Sequence, residues 1–486
     1  MMHHRRVHAA KERKQHVLVP VLGSVTASYN KCQGSNSYSY NNNTNNSNKN
    51  QKRLFGLFVL LSFVLCCGYR WTVSNTSTGK KQQQEIQLPD HLLIGYVDNF
   101  EEEAKIVQAV KDGVNVLIWA FFNMNETTGE IEQPKISQVV NIIQNKLPSF
   151  NNNGDKLIHL TSFGGWNGPH LPTTYHSSKD LYDAWVRFNI QTAQGVFHGF
   201  DWDLEGHDNH EEKTSNLTLD CLQYMIQMTH YAKNDGYIVG MAPPQSYLDV
   251  QSDNTTLDLQ QQQQLYGGPF STKLHLPPLL SSTWHPEFHY TGYNSYAPLL
   301  LSLHNVIDFI SIQFYETWSR ATYEINYQNV DPSTYLVQYI EDLVLHRNQG
   351  YHVLFPSKYL PYFTNNDNDS NNNQKDMGQP QSSTEQLVSK FIPIPINKLV
   401  FGFANGWALS RKDGGALFFD PVEVQKAFET LRHRHYQNQS SLTMIPRGCM
   451  FWSIGWEGEN GIFLAKGLNE IWKTNKTTTK TIRKKQ

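Results

Sequence analysis

The sequence predicts a (β/α)8 TIM barrel of the α/β class with loop insertions, running from about residue 91 to 470. Three observations lead there. Eight short apolar runs recur from His91 onward, and stretches with one apolar helical face separate them. Most of the runs are continuous rather than alternating, as expected for strands covered on both sides. A chain of 486 residues is long enough for one such domain with appendages.

The runs are LLIGYV (92–97), NVLIWAFF (115–122), KLIHLTSF (156–163), GVFHGFDWDLE (195–205), YIVGMAP (237–243), VIDFISIQFY (306–315), KLVFGFA (398–404) and GCMFWSIGW (448–456). Between them, residues 101–111 set Ile106, Val107 and Val110 on one side of a helix, and 136–143, 181–190, 219–231 and 335–345 carry similar stripes. Asp420 before Pro421 is an N-cap and first-turn signal for a helix over 422–431. A doubly wound sheet also alternates strand and helix, but no glycine-rich dinucleotide loop follows the first run. Three stretches break the rhythm: 125–135, 244–305 with its QQQQQ and HPEFHYTGYNSY, and 357–392 with NNDNDSNNNQKD. A barrel tolerates these as loops.

The ends are organised differently. Residues 1–53 form a basic, Asn-rich tail expected to be disordered, with nine Lys and Arg against one acid. Residues 71–486 then carry a formal charge of −11, an acidic body that does not suggest nucleic acid as a partner. Residues 54–70 read as a signal anchor or signal peptide, and the positive charge before them predicts a cytosolic N-terminus and a translocated body. The expectation is entry into the secretory pathway, as a single-pass type II membrane protein or, if cleaved, a secreted one. Seven N-glycosylation triplets follow the segment, at Asn75, Asn125, Asn216, Asn254, Asn368, Asn438 and Asn475. Beyond it only Cys221 and Cys449 remain, so at most one disulfide could form there. Residues 71–90 read as a linker and 471–486 as a polar tail.

The run HGFDWDLE, 198–205, holds the chemistry. In a strand, Asp201, Asp203 and Glu205 share one face, while Phe200, Trp202 and Leu204 share the other. A solvated edge strand would also produce this stripe, but the approach GVFHGF looks interior. Three inward carboxylates are costly unless they stand at the open C-terminal mouth, where barrel active sites form. There Glu205, last in the row, is the natural proton donor, held partly protonated by Asp203. The three titrations would be coupled.

With these motifs the chain resembles glycoside hydrolase family 18, the chitinases and related endo-β-N-acetylglucosaminidases. The family's strand-four signature D-G-x-D-x-D-x-E is matched by Gly199, Asp201, Asp203 and Glu205, with His198 in place of the first Asp. Its S-x-G-G motif is matched by Ser162, Gly164 and Gly165. Tyr96, Phe122, Met241, Gln313, Tyr315 and Trp452 match at other strand ends. The resemblance implies retaining hydrolysis of a bond next to an N-acetylglucosamine unit, assisted by the substrate's own acetamido group. Glu205 would be acid and then base, Asp203 would orient the acetamido N–H, and Asp201 would support Asp203. Tyr315 would donate to the acetamido oxygen, Gln313 and Met241 would line that subsite with Tyr96 and Phe122, and Trp452 would floor it. Ser162, Gly164, Gly165 and His198 would be supports around the carboxylates.

Chitin or its oligomers are the expected partner of a monomeric catalytic domain. An N-glycan-cleaving endo-β-N-acetylglucosaminidase and a non-catalytic lectin are the alternatives. His198 and Glu316 depart from the family pattern; His198 would tune the inner proton network, and Glu316 would add charge if it points into the cleft. No cofactor or metal is implied. His207, Asp208, His210, Glu211 and Glu212 match no metal spacing closely, and RHRH (432–435) reads as a solvated helix end. Trp166, Trp318, Trp407 and Trp456 lie near strand ends and are candidates for sugar stacking.

Overall fold

The computed structural model describes residues 87–166, 168–205, 217–248, 295–317, 319–364, 387–410, 416–438 and 444–483. The chain divides into two units, 1–81 and 82–486, and every described residue lies in the second. The basic tail, the hydrophobic segment, most of the linker, the loop 206–216, the polyglutamine and polyasparagine tracts and Trp318 lie outside the described residues. Among the described residues no helix is long and apolar enough to cross a membrane.

In chain order the strands are β1 (Leu92–Val97), β2 (Val116–Trp119), a small hairpin of β3 (Asn123–Met124) and β4 (Ile131–Glu132), β5 (Ile158–Gly165), β6 (Gly199–Leu204), β7 (Ile238–Met241), β8 (Phe309–Gln313), β9 (Gly350–Pro356), β10 (Leu387–Pro393), β11 (Leu399–Ala404) and β12 (Gly448–Trp452). Eight of them close a parallel barrel in the order β1-β12-β11-β8-β7-β6-β5-β2. Each barrel strand comes from one of the eight apolar runs.

The helices between them are α1 (Glu103–Lys111), α2 (Ile136–Asn145), α3 (Ser178–Arg187), α4 (Leu219–Asn234), α5 (Ala297–Leu303), α6 (Pro332–Glu341), α7 (Pro421–Asn438) and α8 (Leu464–Arg483). Four of their starts carry side-chain caps. Ser177 and Asp180 form a reciprocal capping box at α3, and Thr218 accepts from the Cys221 amide at α4. Asp331 caps α6 ahead of Pro332, and Asp420 accepts from the Val422 amide at α7.

Two differences from the sequence reading concern the edges. Within the stretch 357–392, residues 387–392 are not loop: β10 pairs antiparallel with β9 in a separate two-stranded sheet. The polar tail is helical, because α8 runs through residue 470 to Arg483 with no breaker to stop it. Its first half is anchored by buried Leu464, Leu468 and Ile471, which carry the helix past the barrel. Cys221 and Cys449 are both buried thiols, not a bridge.

The core has two layers. Leu92, Ile94, Ile118, Leu160, Ile238, Phe309 and Val400 fill the barrel interior, and a larger set packs between strands and helices. β6 shows why the sequence settles this way. Phe200, Trp202 and Leu204 are fully buried under the helices, at about 1.5–3 kcal/mol each. The Trp202 indole donates to Thr229 on α4 at 2.9 Å, satisfying its one polar atom. With that face committed outward, Asp201 and Asp203 must face in.

Candidate active site

Asp201, Asp203 and Glu205 stand in a row at the C-terminal end of β6, at 0%, 3% and 8% exposure. Asp201 is deepest. Its Oδ2 accepts from the Tyr96 hydroxyl at 2.6 Å and from Ser162 Oγ at 3.1 Å. Its Oδ1 has no hydrogen-bond partner among the described residues and lies where a side chain on Gly240 would sit. Burial pushes Asp201 up to about 6, against the opposing bonds from Tyr96 and Ser162.

Asp203 and Glu205 hydrogen-bond each other. Burial, then the charges of Glu205 and Asp201, raise Asp203 well above the usual carboxylate range; burial also raises Glu205. Each carboxyl's charge therefore opposes ionisation of the other, and the two titrate together. Gln313, the last residue of β8, ties the pair together: its Nε2 lies 2.8 Å from Asp203 Oδ1, 2.9 Å from Glu205 Oε1 and 2.7 Å from the Ala242 carbonyl. An amide nitrogen has two protons, so these three contacts share them.

The glycines of β5 make room for the row. Gly164 has φ +105°, and a Cβ there would meet the Asp203 carbonyl oxygen at 2.4 Å. Gly165 has φ +84°, and a Cβ would meet the Phe121 ring at 2.4 Å. Phe121 in turn stacks on Trp452, 5.4 Å between centroids and 19° between planes, and Tyr96 tilts against the same indole at 5.3 Å. Tyr315, at the other side, meets Trp407 edge-on at 6.5 Å. Burial and then the Asp203 and Glu205 charges raise the Tyr315 phenol well above its usual range, so it remains a hydrogen-bond donor.

Trp452 is fixed from behind. Its carbonyl accepts from the Asn405 amide and the Trp407 indole, both at 2.9 Å. Asn405 Nδ2 donates to the Ser453 carbonyl at 3.0 Å and to Glu457 Oε1 at 2.8 Å. Glu457 also takes the Leu464 amide at 3.0 Å, at the start of α8. Burial raises it from 4.5 to about 7.

Three expected site residues fall elsewhere. Phe122 is fully buried among the helices, edge-on to Phe188 and Phe197, because the inward–outward alternation breaks after Ala120; Phe121 takes the position beside Trp452. Met241 pairs in register with the outward Trp202 and shares its helix-facing layer, so Ala242 faces the interior instead. His198 sits on the outer side of β6, stacked on His159 at 5.8 Å, and its Nδ1 accepts from the His159 amide at 3.0 Å. It is thus a strut between β5 and β6 rather than a member of the carboxylate network. Burial and then Lys156 push it down to about 4, so it is neutral near pH 7.

The remaining expected residues divide. Tyr96 is 1% exposed and spends its hydroxyl on Asp201, which makes it a support for the carboxylate row. Glu316 points to Ser246, accepting from its amide and its hydroxyl at 3.0 Å each. Trp166 and Trp456 stand exposed just beyond β5 and β12. Phe121, Asn405 and Glu457 were not singled out from the sequence. Phe121 adjoins the expected Phe122, whereas nothing local marks Asn405 or Glu457.

No family model matches the sequence, and no curated protein matches it. Among solved structures the chain is similar to a GH18 chitinase from Pseudoalteromonas aurantia, at 15% identity over 78% of this chain and 99% of that one, with a TM-score of 0.38. It is also similar to the class V chitinase from Nicotiana tobaccum, at 12% identity over 79% and 99%, TM-score 0.42. A third is a glycoside hydrolase family 18 N-acetylglucosaminidase from Paenibacillus barengoltzii, at 11% identity over 78% and 99%, TM-score 0.37.

Proposed function

We propose that this chain is a glycoside hydrolase that cuts β-1,4-linked N-acetylglucosamine polymers, chitin or its oligomers, by a retaining, substrate-assisted route. The observation that carries the reading is the buried row Asp201–Asp203–Glu205, with one amide, Gln313, bonded to both outer carboxyls. Such a row stores a proton where a leaving oxygen can take it. In the proposed cycle Glu205 protonates the glycosidic oxygen as the C1–O bond breaks. The substrate's acetamido oxygen forms the new bond to C1, giving an oxazolinium ion. Asp203 holds the acetamido N–H, and Tyr315 donates to the acetamido oxygen. Glu205 then takes a proton from water, whose oxygen attacks C1 and restores the acetamido group and the anomeric configuration. The Asp201 charge supports Asp203 by raising its proton affinity, and the Trp452 indole stacks on the sugar face.

Chromophore release from short β-1,4-linked N-acetylglucosamine oligomers tests the reading. Glu205→Gln is expected to lower turnover about 10²–10⁴-fold, the usual size of general acid catalysis. Equal background rates in both proteins would remove the enzyme reading, and oligomer binding without turnover would indicate a lectin. Faster cleavage of a high-mannose glycopeptide than of a chitin oligomer would instead identify an endo-β-N-acetylglucosaminidase. We further propose that the body is exported to the secretory pathway by residues 54–70; N-glycans on the expressed protein would support this, and a cytosolic, unglycosylated product would refute it.

A further inference from the structure

We infer that Tyr296 is a positioning residue for the proton donor, holding the peptide that carries Glu205 in place of a hydrogen bond the barrel ladder cannot make. The inference rests on the reading of Glu205 as the acid. Along the β6–β7 seam the Ile238 amide donates to the His198 carbonyl at 3.0 Å, and the Ala242 amide to the Trp202 carbonyl at 2.8 Å. The strand period of two then assigns residue 244 to the Leu204 carbonyl. Residue 244 is Pro244, which has no N–H. The seam therefore ends one step short of the catalytic carboxyl, leaving the Leu204–Glu205 peptide without its β7 donor.

Tyr296 fills that position. Its hydroxyl donates to the Leu204 carbonyl at 3.1 Å and lies 3.5 Å from the Trp202 carbonyl. The side chain is 0% exposed, and its own amide is bonded to the Tyr247 carbonyl at 3.1 Å, so the phenol is anchored at both ends. Burial, then the charges of Asp203, Glu205 and Asp201, raise its ionisation well above the usual range, so it stays a donor at any working pH. A buried carbonyl stripped of its donor would be free to rotate the following residue, and rotation there moves the Glu205 carboxyl away from the leaving oxygen.

Tyr296→Phe removes one oxygen and keeps the ring. A misplaced acid hurts a substrate with a poor leaving group most, because an unactivated sugar alcohol must be protonated as it departs. Turnover of an N-acetylglucosamine oligomer should fall about 10–100-fold, and that of an aryl glycoside with an acidic phenol leaving group at least about tenfold less, with KM little changed for either. An equal loss on both substrates would overturn the proposal, since a merely structural defect lowers both alike. Amide hydrogen exchange over residues 202–205 needs no substrate. It should rise about tenfold in Tyr296→Phe, and unchanged exchange would overturn the proposal even if the wild-type protein cleaves neither substrate, a result that would sink the glycosidase reading separately. If Tyr296→Phe does not fold, Tyr296→Phe/Pro244→Ala replaces it. The Pro243 carbonyl accepts from the Gln313 amide on the β8 side, so the nitrogen of the same peptide faces β6 and an alanine there restores a donor. Folding of the double variant supports the missing-donor account; its failure to fold overturns it.

Discussion

Glu457 is a carboxyl 8% exposed behind the indole of Trp452, and replacing it by glutamine isolates the cost of charging it there. Its partners, the Asn405 side chain and the Leu464 and Ala465 amides, are donors that an amide oxygen also satisfies. Burial outweighs those bonds and raises the group from 4.5 to about 7. The sign follows from proton counting. Between about 4.5 and 7 the folded chain holds a proton that the unfolded chain has released, so stability contributed by the neutral acid is present below that window and lost as pH rises through it. Each tenfold displacement corresponds to about 1.4 kcal/mol, so the wild-type protein should lose about 3 kcal/mol more than Glu457→Gln between pH 4 and pH 8. Urea unfolding at a series of pH values measures this. The other carboxylates are common to both proteins and cancel in the difference. Parallel stability profiles would refute the assignment of a buried, protonated Glu457.

Three other outcomes follow from the site. Gln313→Leu removes the donor that favours the ionised forms of Asp203 and Glu205, so the pH–rate profile should move to higher pH and kcat should fall about tenfold or more; an unmoved profile would show that the amide does not control the pair. Gly165→Ala forces a side chain into left-handed backbone and against the Phe121 ring, and should cost about 1–3 kcal/mol in denaturant titrations while raising KM. Phe122→Ala should cost about 3–5 kcal/mol with KM unchanged, whereas Phe121→Ala should raise KM, a contrast that steady-state kinetics on an oligomer would read directly.

The barrel was legible because its strands are continuous apolar runs and several of its helices, α3, α4, α6 and α7, start at side-chain caps, and both signals are local. The carboxylate row was legible for the same reason, since strand alternation alone puts Asp201, Asp203 and Glu205 together once Phe200, Trp202 and Leu204 are committed to the helices. Alternation also explains the misplacements. Phe122 and Met241 lie at strand ends, where one residue of slippage in the count reverses the side that a chain faces. The structure sets Phe121 and Ala242 inward instead. His198 precedes the strand proper and faces His159, a partner 39 residues away that no local pattern names. The Asn405–Glu457 support behind Trp452 is equally remote, spanning 52 residues between two strand ends.

The stacked wall of Trp452, Phe121 and Tyr96 has a thermodynamic consequence. Its central residue, Trp452, is held by its carbonyl, which accepts from the Asn405 amide and the Trp407 indole after β11, and its neighbours are in ring contact before any ligand arrives. A ligand that lands on an assembled wall does not have to immobilise it, and each rotamer-rich side chain left out of that ordering avoids a loss of about 0.5–1.5 kcal/mol. Calorimetry of oligomer binding should accordingly show a negative heat-capacity change from the buried ring faces with little entropic opposition from the protein. The rigidity of the wall is in place before any encounter, so affinity there is set by the fit of the ring faces rather than by folding around the ligand.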